Sequence, residues 1–177
     1  MRRLLFVLLL FSCKHQSDLP KLFPLPDAKL VNESGQPMQL ASLKGNVVVY
    51  DFIFTNCAGT CPMMTATMRR VTAKVGKDAP VRFVSISVDP KRDTPPVLAA
   101  YAQKFRNDPR WTFLTGDWPT IKNLSMNGFK LATDDQLLHS AKFAVADKNG
   151  VLREYVSSLE DDAVEHVART VKDLARE

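Results

Sequence analysis

Apolar positions fall into two rhythms along this chain. Residues 47–54, Val-Val-Val-Tyr-Asp-Phe-Ile-Phe, are almost unbroken, as a strand covered on both faces must be. Residues 81–88, Val-Arg-Phe-Val-Ser-Ile-Ser-Val, predict a second such strand, ended by Asp89-Pro90. Between them the pattern changes to helical. Pro62 suits a first helical position and Gly76 a stop, which predicts a helix over 62–75. Thr94-Pro95-Pro96 opens another helix, carrying Leu98, Tyr101 and Phe105. A short strand follows at 111–114 and a helix at 118–126. Residues 142–146 and 152–156 pair as a hairpin about the turn Asp147-Lys-Asn-Gly150. A final helix has Ser158 as its cap, Asp161 and Asp162 in its first turn, and a buried stripe of Leu159, Val164, Val167, Val171 and Leu174.

Strand–helix–strand–helix, then a hairpin and a closing helix, is the thioredoxin-like order. It predicts an α/β domain with a central mixed sheet flanked by helices. With 177 residues and no internal repeat, the chain suits one domain. The start reads differently. Arg2 and Arg3 precede the apolar run 4–11, too short to span a bilayer but shaped like the core of a secretory signal. Leu10-Phe-Ser-Cys13 also resembles a bacterial lipobox, with Phe11 bulkier than is usual there. The expected organisation is a lipoprotein-type signal peptide at 1–12, a Pro-rich tether at 13–30 and the domain at 31–177. Cys13 then carries a lipid, which places the domain on the periplasmic side of a membrane in a bacterial envelope. That assignment also explains an odd cysteine count of three. The formal charge of +5 falls by two if Arg2 and Arg3 leave with the signal. What remains is mildly basic and spread out, with no Lys/Arg cluster among aromatics, so nucleic-acid binding is not expected.

Chemistry concentrates at Cys57 and Cys61, where the first strand gives way to the first helix. Free N–H groups at a helix start favour thiolate, the form that binds soft metals and attacks disulfides. The Cys-x-x-x-Cys spacing is one residue wider than the thioredoxin-type pair and suits a grip on one metal ion. A purely structural disulfide closing so short a loop adds little stability. Reversible redox use or metal ligation remains. His139 lies just before the strand at 142–146, a junction that faces the cysteine turn in a thioredoxin-like fold. Two thiolates with an imidazole suit copper. Thioredoxins place a proline before this strand; here none follows Pro119, and His139 is near its place. The other histidines are less suggestive: His15 lies in the tether, and His166 is read as a solvated residue of the last helix. Met63, Met64 and Met68 read as core fillers. Asp89 and Asp93 either approach the metal from behind its ligands or form turns and caps, and Arg92 pairs with those carboxylates.

Three blocks of residues carry a resemblance to a known family. They are Phe52-Ile-Phe-Thr-Asn-Cys-Ala-Gly-Thr-Cys-Pro62, Phe83-Val-Ser-Ile-Ser-Val-Asp-Pro-Lys-Arg-Asp-Thr-Pro95, and His139-Ser140 with Asp147 and Gly150 after it. On these the chain resembles the Sco/SenC family of copper-binding, thioredoxin-like proteins over about 25–175. The resemblance implies one copper ion per chain, as Cu(I) or Cu(II), held by Cys57, Cys61 and His139, with a role for Asp89 behind them. It also implies a metallochaperone serving the binuclear copper site of a cytochrome c oxidase subunit. Other periplasmic copper carriers or thiol reductants are further partners on this reading. Ala58 stands where the family usually has proline, which removes no ligand. An enzymatic alternative stays open, a thiol–disulfide oxidoreductase with Cys57 attacking and Cys61 resolving. A thiol peroxidase fits poorly: Thr55 is two residues before Cys57 rather than three, and no proline lies between Pro37 and Pro62.

Overall fold

The computed structural model describes residues 16–131 and 140–177; the expected leader, Cys13 and His139 lie outside the described residues. In chain order the elements are β1 (Phe23–Pro24), β2 (Lys29–Asn32), β3 (Pro37–Gln39) and a short 3₁₀ turn at Leu40–Leu43. Then come β4 (Val47–Ile53), α1 (Thr60–Lys74), β5 (Val81–Ser87), α2 (Pro95–Phe105), β6 (Trp111–Thr115) and α3 (Trp118–Asn123). The chain closes with β7 (Lys142–Ala146), β8 (Val151–Ser157) and α4 (Ala163–Arg176). The described strands form one mixed sheet in the order β1-β8-β7-β4-β5-β6-β2-β3.

The sheet confirms the α/β, thioredoxin-like expectation. β4, β5 and β6 run parallel, with Asp51 opposite Ser85 and Ile53 opposite Ser87. β7 returns antiparallel on the other side of β4, Ala144 facing Tyr50. The C-terminal ends of β4 and β5 and the N-terminal end of β7 therefore meet at one pole of the sheet. That pole carries the cysteine loop. Every residue of β4 is buried, as its apolar run requires. Val47, Val49 and Ile53 face a core closed by α1, α2 and α4, with Met68, Val71, Leu98, Val167 and Val171. Val48, Tyr50 and Phe52 face the other core, with Leu43, Ile121, Leu124 and Phe129. Among the described residues no helix is long and apolar enough to cross a membrane.

Four local expectations change. The described part of the tether is packed on the domain. Leu22 N–H donates to Leu152 O (2.9 Å), Phe23 pairs with Leu152, and Leu30 is fully buried in β2. Buried Arg153 holds this segment, donating to Leu19 O (2.6 Å) and Pro20 O (3.0 Å) while pairing with Asp147 and Glu177. Second, α1 starts at Thr60 rather than Pro62. Pro62 remains in the first turn, where its missing N–H has no helical partner to lose. Third, α3 ends at Asn123 and a wider π-type turn, Leu124–Gly128, completes the predicted helix. Fourth, α4 starts at Ala163. Ser158 Oγ donates to Ala141 O (2.8 Å) instead of capping, and Leu159 is 54% exposed rather than part of the buried stripe. The hairpin turn is as expected: Asp147 Oδ1 accepts from Asn149 N (2.9 Å) and Val151 N (3.0 Å), and Gly150 supplies φ 77°.

Candidate metal and thiol centre

β4 delivers the chain to its pole at Ile53, and α1 begins at Thr60 after a short loop. Cys57 lies in this loop, its N–H donating to Phe54 O (3.3 Å) to close a turn. Cys61 is in the first turn of α1, buried against the core that also holds Met68 and Leu98. Both cysteines are free thiols. Cys57 is only half-buried, and its Sγ accepts from Gly59 N (3.4 Å).

The same loop moves the pKa values of the two sulfurs in opposite directions. Partial burial alone raises the Cys57 pKa. The backbone N–H and thiol of Cys61 and the N–H groups of Gly59 and Thr60 outweigh it, leaving Cys57 below the ordinary thiol range. Burial dominates at Cys61. Its pKa is pushed up to about 12, with the nearby charges of Cys57 and Asp51 adding to the rise and a hydrogen bond to Phe54 opposing it. A helix start therefore does not make both sulfurs thiolates: desolvation beats the helix at Cys61.

Three supporting groups surround this pair. Asp93 is fully buried, and its Oδ1 accepts from Thr55 Oγ1 (2.5 Å). Its Oδ2 accepts from Thr55 N (3.0 Å) and Ser87 Oγ (2.6 Å). Asp51, on the core-facing side of β4 with Val49 and Ile53, is fully buried. Neither of its oxygens has a hydrogen-bond partner among the described residues. Burial pushes its carboxyl up to about 7, with Ser85 across the strand pair partly opposing. Tyr101 of α2 shares a hydrogen bond with Thr65 Oγ1 (2.8 Å), and burial raises its pKa to about 12. Asp51 and Tyr101 escaped sequence reasoning, although a charged residue inside the 47–54 apolar run is itself a signal.

The remaining candidates sort clearly. Met64 and Met68 are core residues, but Met63 stands 57% exposed two positions past Cys61. Asp89 is engaged by Arg92 (2.8 Å), the pairing expected for that arginine. His166 is not simply solvated: it is half-buried, with Nε2 at 2.9 Å from Glu154 Oε1 and Nδ1 at 3.3 Å from Glu160 Oε2. Those carboxylates hold its pKa above the usual value despite burial, which alone would lower it. Among the described residues, no third histidine, cysteine or carboxylate joins Cys57 and Cys61 as a ligand cluster. His139 lies outside the described residues, three positions before Lys142. β7, which Lys142 opens, runs antiparallel to β4 with Ala146 opposite Val48 and Ala144 opposite Tyr50, so its N-terminal end points toward the C-terminal end of β4. Two adjacent free sulfurs, one readily ionised, are a donor set that fits a soft monovalent ion such as Cu(I).

Comparison with known proteins agrees with this geometry. The sequence model of SCO1/SenC matches residues 26–176. Among solved structures, a SCO1/SenC family lipoprotein from Bacillus anthracis superposes with TM-score 0.80 at 34% identity, covering 90% of this chain and 99% of that one. BsSco, described as a member of the Sco family of cytochrome c oxidase assembly proteins with a disulfide switch, gives TM-score 0.77 at 31% identity, covering 86% and 94%. Copper-bound ScoI of Bradyrhizobium japonicum gives 0.71 at 26%, covering 85% and 99%.

Proposed function

Because the chain belongs to the SCO1/SenC family, we propose that it is a copper-binding assembly factor that loads or prepares the binuclear copper site of cytochrome c oxidase. The observation that carries this reading is the pair of free, adjacent thiols at the sheet pole, set on a fold shared with copper-bound ScoI and with BsSco. Cys57 and Cys61 bind the copper cargo as thiolates, and His139 completes the set as the third ligand. Binding displaces the thiol protons, so uptake rises with pH. A three-ligand ion leaves room for an incoming thiolate, and half-buried Cys57 is the ligand that a recipient can reach first. The signal-like start, and the description of the B. anthracis relative as a lipoprotein, support a lipid anchor at Cys13 facing the periplasm.

Replacement of the ligands tests this reading. Cys57→Ser, Cys61→Ser and His139→Ala should each weaken Cu(I) binding by at least about 100-fold, ~2.7 kcal/mol, in a competition titration with a chromophoric chelator. Unchanged affinity in His139→Ala would remove the histidine from the set. Unchanged affinity in both cysteine variants would remove copper from the account.

A second reading rests on the opposite pKa shifts of the pair and their different exposure. Low-pKa, accessible Cys57 has the properties of an attacking thiolate, and buried, high-pKa Cys61 those of a resolving thiol. Cys57 would attack a partner disulfide and release one partner thiolate. Cys61, losing its proton, would then attack the Cys57 sulfur of the mixed disulfide and release the second. The partner gains two electrons and this pair becomes a disulfide. Under this reading His139→Ala retains disulfide exchange with a model disulfide substrate, whereas Cys57→Ser abolishes it.

A further inference from the structure

We infer that Asp93 is a positioning residue for the cysteine pair, holding Cys57 in register with Cys61 through Thr55. This rests on the reading of Cys57 and Cys61 as the working sulfurs, and adds a group that sets their geometry.

The two cysteines are located by different means. Cys61 is fixed by burial on α1. Cys57 sits in a loop, and the anchors of that loop are Phe54, whose carbonyl accepts the Cys57 N–H, and Thr55. Thr55 is bound at both its backbone N–H and its hydroxyl by one carboxylate, 38 residues away in sequence. The second Asp93 oxygen also takes the Ser87 hydroxyl at the end of β5, and Ser87 Oγ accepts the Asp89 N–H (3.1 Å). Asp93 N–H in turn donates to Asp89 O (2.8 Å). One side chain thus joins the cysteine loop, the end of β5 and the loop leading into α2.

A fully buried carboxylate with no cation paired to it among the described residues is costly. Asparagine would carry no charge, but it has one acceptor oxygen. Three donors converge here, two from Thr55 and one from Ser87, and they occupy both oxygens. An amide nitrogen in place of Oδ2 would face the Thr55 N–H, which cannot accept; in place of Oδ1 it would force the Thr55 hydroxyl to turn from donor to acceptor. The carboxylate takes all three donors as they stand, whereas an amide must reverse or lose the bond to the Thr55 hydroxyl. Freed from it, Thr55 and the turn at Cys57 shift relative to Cys61, and the contacts between the sulfurs loosen.

The test uses the metal-free protein and three variants: Asp93→Asn, Thr55→Val and Thr55→Ser. The redox equilibrium of the Cys57–Cys61 pair against dithiothreitol is read together with the initial rate of Cys57 alkylation, and thermal unfolding reports the fold. Loss of the contacts that stabilise the reduced pair should favour the disulfide about tenfold in Asp93→Asn, ~30 mV in potential. It should also slow alkylation several-fold. Thr55→Val should show part of both effects and Thr55→Ser, which keeps the hydroxyl, neither. If Asp93→Asn fails to fold, the Thr55 variants decide alone. Wild-type equilibrium and alkylation rate in every folded variant would overturn the inference. A chain that responds as expected yet binds no Cu(I) would keep this inference and sink the copper reading, so the two failures are separable.

Discussion

At the scale of single residues, the site is two sulfurs in different dielectric surroundings. Cys57 is reachable and ionises early; Cys61 is sealed and ionises late. Limiting iodoacetamide at neutral pH should therefore modify Cys57 first, by at least about tenfold in rate, with Cys61 following only in denaturant; mass spectrometry of the peptides reads the order. Asp51 makes a different prediction. Its carboxyl is held near 7 in the fold by burial, against an ordinary value near 4 when unfolded. The native state therefore binds the extra proton between those values, and stability falls as pH rises across that window, by at most about 4 kcal/mol. Above it the contribution is constant. Asp51→Asn should flatten this segment of the stability curve, measured by urea unfolding at a series of pH values. A wild-type slope retained in that variant would assign the effect elsewhere.

At the scale of elements, what was legible depended on whether the cause was local. The run 47–54 declared β4 because burial on both faces demands continuous apolar residues, and the Asp147–Gly150 turn declared its hairpin through its own side chains. The cysteine loop was legible as a place but not as a mechanism. The bond from Asp93 to Thr55 spans 38 residues, and no periodicity reports it. Ser158 had the local credentials of a cap but is claimed by Ala141 across the β7–β8 pair, and α4 begins five residues later. Met64 and Met68 behaved as helical spacing predicts, facing the core from α1. Met68→Ala should accordingly cost roughly 2–5 kcal/mol in chemical denaturation, while Met63→Ala, on the exposed side, should cost less than about 0.5.

At the scale of the whole molecule, the sheet places the working pole at the C-terminal ends of β4 and β5, and the entering chain at the other end. Arg153 is the fastening there, tying Leu19 and Pro20 to Asp147 of the hairpin and Glu177 of the last turn. Arg153→Gln leaves buried acceptors and carboxylates without their donor and should destabilise by roughly 3–5 kcal/mol. It should also expose residues 17–24 to limited proteolysis before the rest of the domain. The described part of the tether read from composition at 13–30 is thus packed onto the domain, because Pro-rich polarity does not reveal a buried arginine 133 residues from Pro20. X-ray absorption at the copper edge, on reduced protein loaded with one equivalent of Cu(I), reads the ligand set itself. Two sulfur neighbours at thiolate distances and one nitrogen are expected, with the nitrogen lost in His139→Ala. A first shell of oxygen and nitrogen without sulfur would contradict this ligand set.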